Sequence, residues 1–217
     1  MAWQLRDGVS FCDAGDRLVF LDRRRDRYFC LTRDAEHSVR RLIAGEVDNG
    51  EDAKALGRLA RDGLLRPGNS NLHSCEAGRR PDASLLDEPY APTNMMLMLA
   101  SIWQIVRVPC ELKLLGLDAS LGRTERAKLS ARGGSLATAR SVATAFRRLA
   151  SIVSGHDQCL ARSIALARVL IARGCRAEVV LGVKLRPFKA HCWVQLDEHL
   201  VNERWDVTRA FTPIFIL

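Results

Sequence analysis

The chain has no Cys-x-x-Cys pair, no internal repeat, no low-complexity tract and no uninterrupted apolar run approaching the ~20 residues that span a bilayer. Its seven cysteines, at 12, 30, 75, 110, 159, 175 and 192, are odd in number and scattered. That spacing argues against both a disulfide framework and a paired zinc knuckle, and leaves most of them as small buried hydrophobes. The first residues, Met1-Ala-Trp-Gln-Leu-Arg-Asp7, lack the basic-then-apolar order of a signal peptide. Together these absences predict a cytoplasmic protein with no membrane partner.

What is present is an ordinary globular composition. Hydrophobic residues make up 47% and charged residues 27% of 217, which is long for one domain and comfortable for two. The net charge of +8 is unevenly placed: residues 1–68 hold 13 Lys/Arg against 12 Asp/Glu, and residues 69–217 hold 20 against 13. Phosphate contacts dominate nucleic-acid affinity, so a DNA-reading front segment should carry the positive charge. Here that segment is almost neutral, and no nucleic-acid partner is expected.

Hydrophobic periodicity divides the chain. Residues 8–32 alternate as three short strands around turns at Gly15-Asp16 and Arg23–Asp26, and two amphipathic helices follow at about 34–44 and 51–62. Three strands and two helices predict a small winged-helix-like unit over 1–68. Residues 69–92 are rich in Pro, Gly, Asn and Ser and read as a linker. A second domain over 93–217 is predicted to hold helices at 94–117 and 136–153 separated by a Gly- and Arg-rich connection, an apolar helix at 158–173, and strands at 176–184, 190–196 and 200–204. The fold class is therefore α+β.

Two residues in the second domain suggest chemistry. With Asp157 as N-cap, Cys159 falls in the first turn of the apolar helix, at the positive end of the dipole, where the thiolate is favoured. A backbone N–H there can also serve a developing oxyanion. His191 lies in Ala190-His-Cys-Trp-Val-Gln-Leu196, sharing one strand face with Trp193 and Gln195. Taken separately, a buried core cysteine and a structural histidine fit as well. A nucleophile at a helix start with a histidine on a later strand is nevertheless the layout of Cys–His hydrolases. His156-x-x-Cys159 has a zinc-like spacing, but no second ligand pair stands at metal spacing.

Cys159-Leu-Ala-Arg-Ser-Ile-Ala-Leu166, Val180-Leu-Gly-Val183, Arg186-Pro-Phe188 and Ala190-His-Cys-Trp-Val194 closely resemble the leader peptidases of lasso-peptide biosynthesis, the B proteins of the transglutaminase-like superfamily. Val9-Ser-Phe-Cys-Asp13, Leu21-Asp22 and Arg27-Tyr-Phe-Cys-Leu31 resemble a RiPP recognition element, the winged-helix-like domain that captures leader peptides. The resemblance implies a transglutaminase-like/papain-like cysteine peptidase domain behind that element. It implies a leader accepted as an added strand near 27–32, placing Arg27, Tyr28, Phe29 and Leu31 at the peptide. It also implies a triad of Cys159, His191 and an acid twelve residues beyond the histidine, in a pair that is Asn-Asp in the family and Asn202-Glu203 here. No metal or organic cofactor is implied. The partners implied are the precursor peptide and a separate, asparagine-synthetase-like ATP-dependent cyclase.

A three-residue hairpin loop at 196–198 would place Glu203 opposite His191, whereas a shift of one residue moves it to the other face. Asp206 is the alternative acid. Asp197 is excluded, because it would lie about 20 Å along the strand from His191. Two other functions share these features: acyl transfer by the same Cys–His pair, and a catalytically inactive protein that binds peptide or nucleic acid.

Overall fold

The computed structural model describes residues 3–47, 50–68, 72–75, 81–150 and 158–217. The chain forms two compact units, Met1–Glu76 and Ala77–Leu217.

The first unit contains β1 (Trp3–Leu5), β2 (Val9–Asp13), β3 (Leu18–Asp22), β4 (Arg27–Cys30), α1 (Arg33–Ala44), α2 (Glu51–Arg61) and β5 (Leu65–Pro67). The period-2 pattern produces an antiparallel meander ordered β2-β3-β4. Phe11, Phe20 and Phe29 are successive cross-strand partners, and their rings stack at centroid distances of 5.5 and 5.3 Å. Val39 of α1 and Leu56 and Leu59 of α2 close the core over these rings. Gly45 ends α1 in the left-handed region at φ 75°, where its N–H satisfies the last-turn carbonyl of Leu42. The chain then returns through β5, which pairs with β1, a pairing that three-residue strands give no periodicity to foresee. Among the described strands β4 pairs with β3 alone, so its other edge is open.

The second unit contains β6 (Ala83–Ser84), α3 (Met95–Leu129), α4 (Leu136–Ala150), α5 (Cys159–Ala172), β7 (Glu178–Leu185), β8 (Phe188–Leu196), β9 (His199–Leu200), α6 (Trp205–Thr208) and β10 (Thr212–Ile216). Its sheet runs β10-β7-β8-β9-β6, antiparallel except where β6 lies parallel to β9. Here α5 packs against α3, α4 and β8, which is why it is apolar nearly all round. Its charged Arg168 is held inside: two nitrogens bond the Glu111 carboxylate of α3, at 3.0 and 2.6 Å.

Three features differ from the sequence reading. The segment 81–92, expected within a linker, belongs to the second unit through β6 and through the ion pair of Glu88 with Arg140. Its prolines conceal a strand too short for periodicity to reveal. The Gly- and Arg-rich stretch after 117 continues α3 to Leu129 past a break at Gly116, whose φ of 80° glycine adopts without strain. Leu117, Leu121 and Thr124 are buried at helical spacing beyond that break. By length and composition α3 could also cross a membrane, with mean hydropathy 1.3 over 18 residues, although Arg107 and Glu111 interrupt it. Met95, Leu99, Trp103 and Val106 are exposed along it.

Candidate active site

The site is assembled from the start of α5, the first half of β8 and the bend after β9. Cys159 is the first residue of α5 and Gln158 its N-cap. The expected cap Asp157 and the zinc-spaced His156 lie outside the described residues. Among the described residues no group of three or more His, Cys, Asp or Glu side chains could hold a metal ion.

His191 is half-buried, flanked by the rings of Trp193 and Phe211 at centroid distances of 6.1 and 5.3 Å. Its strand partner is Gly182, where a Cβ would come within 2.7 Å of the Trp193 ring. Glycine at that position is therefore what lets the indole pack beside the histidine. The Nε2 of His191 lies 2.7 Å from Oε2 of Glu203. Glu203 thus occupies one ring nitrogen and leaves Nδ1 for the bond that His191 makes to the Cys159 thiol.

This contact sets the charge state of all three groups. The hydrogen bond and positive charge of His191 pull the Cys159 thiol below its ordinary value, against the opposing effect of burial. The backbone N–H groups of Cys192 and Leu160 add bonds to the same sulfur. His191 is pushed up to about 9 by its bonds to Cys159 and then to Glu203. Burial is the largest single influence on the Glu203 carboxyl and raises it, but the bond to His191, the Arg204 N–H and the positive charges of His191 and Arg204 together outweigh it, and the carboxyl is lowered overall. Both shifts favour the thiolate–imidazolium pair over the neutral one. Burial instead pushes the thiols of Cys12, Cys175 and Cys192 up.

Glu203 reaches His191 by a route the hairpin argument did not foresee. The β8–β9 turn has two residues, Asp197 and Glu198, with Asp197 at φ 53° and partners Leu196↔His199 and Gln195↔Leu200. In that register residue 203 is not opposite 191. Pairing stops after Val201, whose N–H bonds the Val194 carbonyl at 2.9 Å, and the chain bends. The Asn202 side chain then takes the next bond, its Oδ1 accepting from Val194 N–H at 2.7 Å. Ser84 of β6 fixes the bend by donating to the Glu203 carbonyl at 2.7 Å. Asp206 lies exposed on α6.

A cavity of about 310 Å³ opens at these groups, walled by Leu86, Phe146, Leu166 and Val201 and floored by Cys159 and His191. The sequence singles out neither Ser163 nor Ser84, and Asn202 only as the first member of the Asn202-Glu203 pair. For Ser163 the available signal is a hydroxyl at the fourth position after Cys159 in a mostly apolar helix.

In the first unit, Arg27 is exposed on β4, Tyr28 half-buried, and Phe29 stacked on Phe20. Arg27, Phe29 and Leu31 line a second cavity, of about 290 Å³, with Leu59 and Leu64 opposite.

Comparison with known proteins gives two matches. The model of the transglutaminase-like superfamily matches residues 104–216, which is more than half of the chain. The microcin J25-processing protein McjB of Escherichia coli is 40% identical over 47 residues, 22% of this chain and 23% of that relative. No solved structure matches.

Proposed function

The chain belongs to the transglutaminase-like superfamily, and from that membership we propose that it is a cysteine peptidase that removes the leader from a lasso-peptide precursor. The observation that carries this reading is the Cys159–His191–Glu203 contact at the mouth of an open cavity, with the thiol lowered and the imidazole raised. The match to a microcin-processing protein supports the substrate class, as does the resemblance to lasso B proteins.

The Cys159 thiolate attacks the carbonyl of the bond after the leader, and the His191 imidazolium gives its proton to the departing amine of the core peptide. A thioester to the leader remains. His191, now neutral, takes a proton from water as the oxygen attacks that thioester, releasing the leader as a carboxylic acid and regenerating the thiol pair. Glu203 holds the imidazole in the tautomer that presents Nδ1 to sulfur and stabilises its charged form. None of these steps calls for a metal or an organic cofactor.

In the same reading the first unit is a winged-helix-like recognition element, and the leader adds as a strand along the open edge of β4, with side chains entering the cavity beside Phe29 and Leu31. A short flexible tether raises the local concentration of the scissile bond to roughly millimolar. The freed core passes to a separate ATP-dependent cyclase resembling asparagine synthetase, and the reaction takes place in the cytoplasm.

The test uses the full chain and a precursor peptide encoded beside its gene, with products weighed by mass spectrometry. Leader acid and core amine should appear with wild type and vanish with Cys159→Ala, while the variant still binds leader. Turnover by Cys159→Ala would end the cysteine-peptidase reading. A product carrying an amine in place of water would replace hydrolysis with acyl transfer, and a wild-type chain that binds leader without cleaving it would be a binding protein.

A further inference from the structure

Behind the three reacting groups lies a second set of polar contacts that the chemistry above does not use. Ser163 is fully buried on α5, one turn after Cys159. Its Oγ donates to the Cys192 carbonyl at 2.9 Å and accepts from Asn202 Nδ2 at 2.9 Å. Asn202 Oδ1 in turn accepts from Val194 N–H at 2.7 Å.

Each link adjoins one of the reacting residues: Ser163 follows Cys159 by a turn, Cys192 follows His191, and Asn202 precedes Glu203. The Cys192 peptide is gripped from both ends by α5, its N–H bonded to the Cys159 sulfur and its carbonyl to Ser163. The direction of the chain of bonds is also unique. Val194 N–H can only donate, so the amide oxygen of Asn202 must face it and the amide nitrogen must face Ser163. Ser163 then accepts from Asn202 and has its own proton left for Cys192.

We propose that Ser163 and Asn202 are positioning residues that lock the helix carrying Cys159 to the strand carrying His191 and to the bend carrying Glu203. The proposal rests on the hydrolase reading of that site. A near-attack arrangement is sensitive to displacements of about 1 Å, which can cost ~100-fold in rate. Three elements whose ends supply the reacting groups need a common fastening there, and this set of hydrogen bonds is shared by all three.

The two variants are Ser163→Ala, which removes the donor to Cys192, and the near-isosteric Asn202→Asp. A carboxylate in place of the amide still accepts from Val194 N–H but cannot donate to Ser163. Ser163 must then turn its proton toward the carboxylate and abandon the Cys192 carbonyl. Two readouts apply to the full chain: kcat and KM for precursor cleavage, and the pH dependence of iodoacetamide alkylation of Cys159. Both variants should lower kcat by ~10-fold or more with little change in KM, and move the alkylation midpoint toward that of an ordinary thiol. As a control, Ser101→Ala deletes a buried hydroxyl bonded at 2.8 Å to the Leu97 carbonyl within α3. It should leave the alkylation midpoint in place.

Unchanged kcat and midpoint in both variants would overturn the proposal, as would an equal shift in Ser101→Ala. If Ser163→Ala does not fold, Asn202→Asp decides alone. Cleavage that survives Cys159→Ala condemns the peptidase reading instead, and the alkylation midpoint then still reports whether Ser163 and Asn202 place His191 against the thiol.

Discussion

The carboxylate of Glu203 meets the His191 ring at 2.7 Å, although the two residues are not partners in any strand pairing. Glu203 arrives from a bend pinned by Ser84, whose Oγ donates to the Glu203 carbonyl at 2.7 Å. Glu203→Gln should reduce kcat by about 10²–10⁴, since an amide neither stabilises the imidazolium nor enforces the tautomer. Glu203→Asp should fall between wild type and Glu203→Gln, and Asp206→Asn should be close to wild type. Cleavage assays that rank Asp206→Asn below Glu203→Gln would reassign the acid.

The pH dependence of kcat/KM should be bell-shaped. The reactive pair requires ionised Cys159 and protonated His191, so activity rises as pH climbs through the lowered thiol value and falls as it passes the imidazole value of about 9. Glu203 is one of the groups holding His191 up, so Glu203→Gln should move the alkaline limb to lower pH. An alkaline limb that stays in place would show that Glu203 does not support the imidazolium.

Leader capture along β4 should depend on the cavity beside it. Leu31→Asp puts a charge where Phe29, Leu59 and Leu64 line the opening, and should weaken leader binding by at least about tenfold, the equivalent of ~1.4 kcal/mol. Titration calorimetry on the full-length Cys159→Ala background reads this directly. Binding should depend weakly on salt, in contrast to a steep salt dependence with uptake of random duplex DNA. A short peptide spanning only the scissile bond should be cleaved as fast by Leu31→Asp as by wild type.

The buried pair of Arg168 and Glu111 should set the acid stability of the second unit. Its hydrogen bonds to Arg168 hold the Glu111 carboxyl down to about 2, so its contribution is complete above the unfolded-state value near 4.5 and disappears as pH falls through about 2. Glu111→Gln, which leaves Arg168 buried and without its counter-charge, should cost ~3–5 kcal/mol at pH 7. The difference from wild type should narrow below pH 4, seen as converging urea midpoints in tryptophan fluorescence. A constant difference down to pH 2 would mean that the carboxylate charge is not what matters.

Much of this protein is local in origin and so could be read from the order of its residues. Alternation over 9–30 specifies strands, the 3.6-residue period at 34–44 and 51–61 specifies amphipathic helices, and a helix apolar on every side must be a central one, as α5 is. Cys159 at the head of that helix and His191 on a later strand are visible because each needs only its own element to be placed. The continuation of α3 past Gly116 was hidden because a glycine and several arginines outweigh three buried positions at helical spacing. The third carboxylate depended on something the linear order does not contain. A two-residue turn with Asp197 in the left-handed region sets the register one residue away from the expected one, and that register alone would turn Glu203 off the site. What brings it back is Asn202 capping the end of the ladder and Ser84, 119 residues away along the chain, holding the Glu203 carbonyl. Residue type and periodicity determine which element forms. Where two elements meet is decided by side-chain hydrogen bonds between distant segments, which exist only once the sheet and α5 have packed.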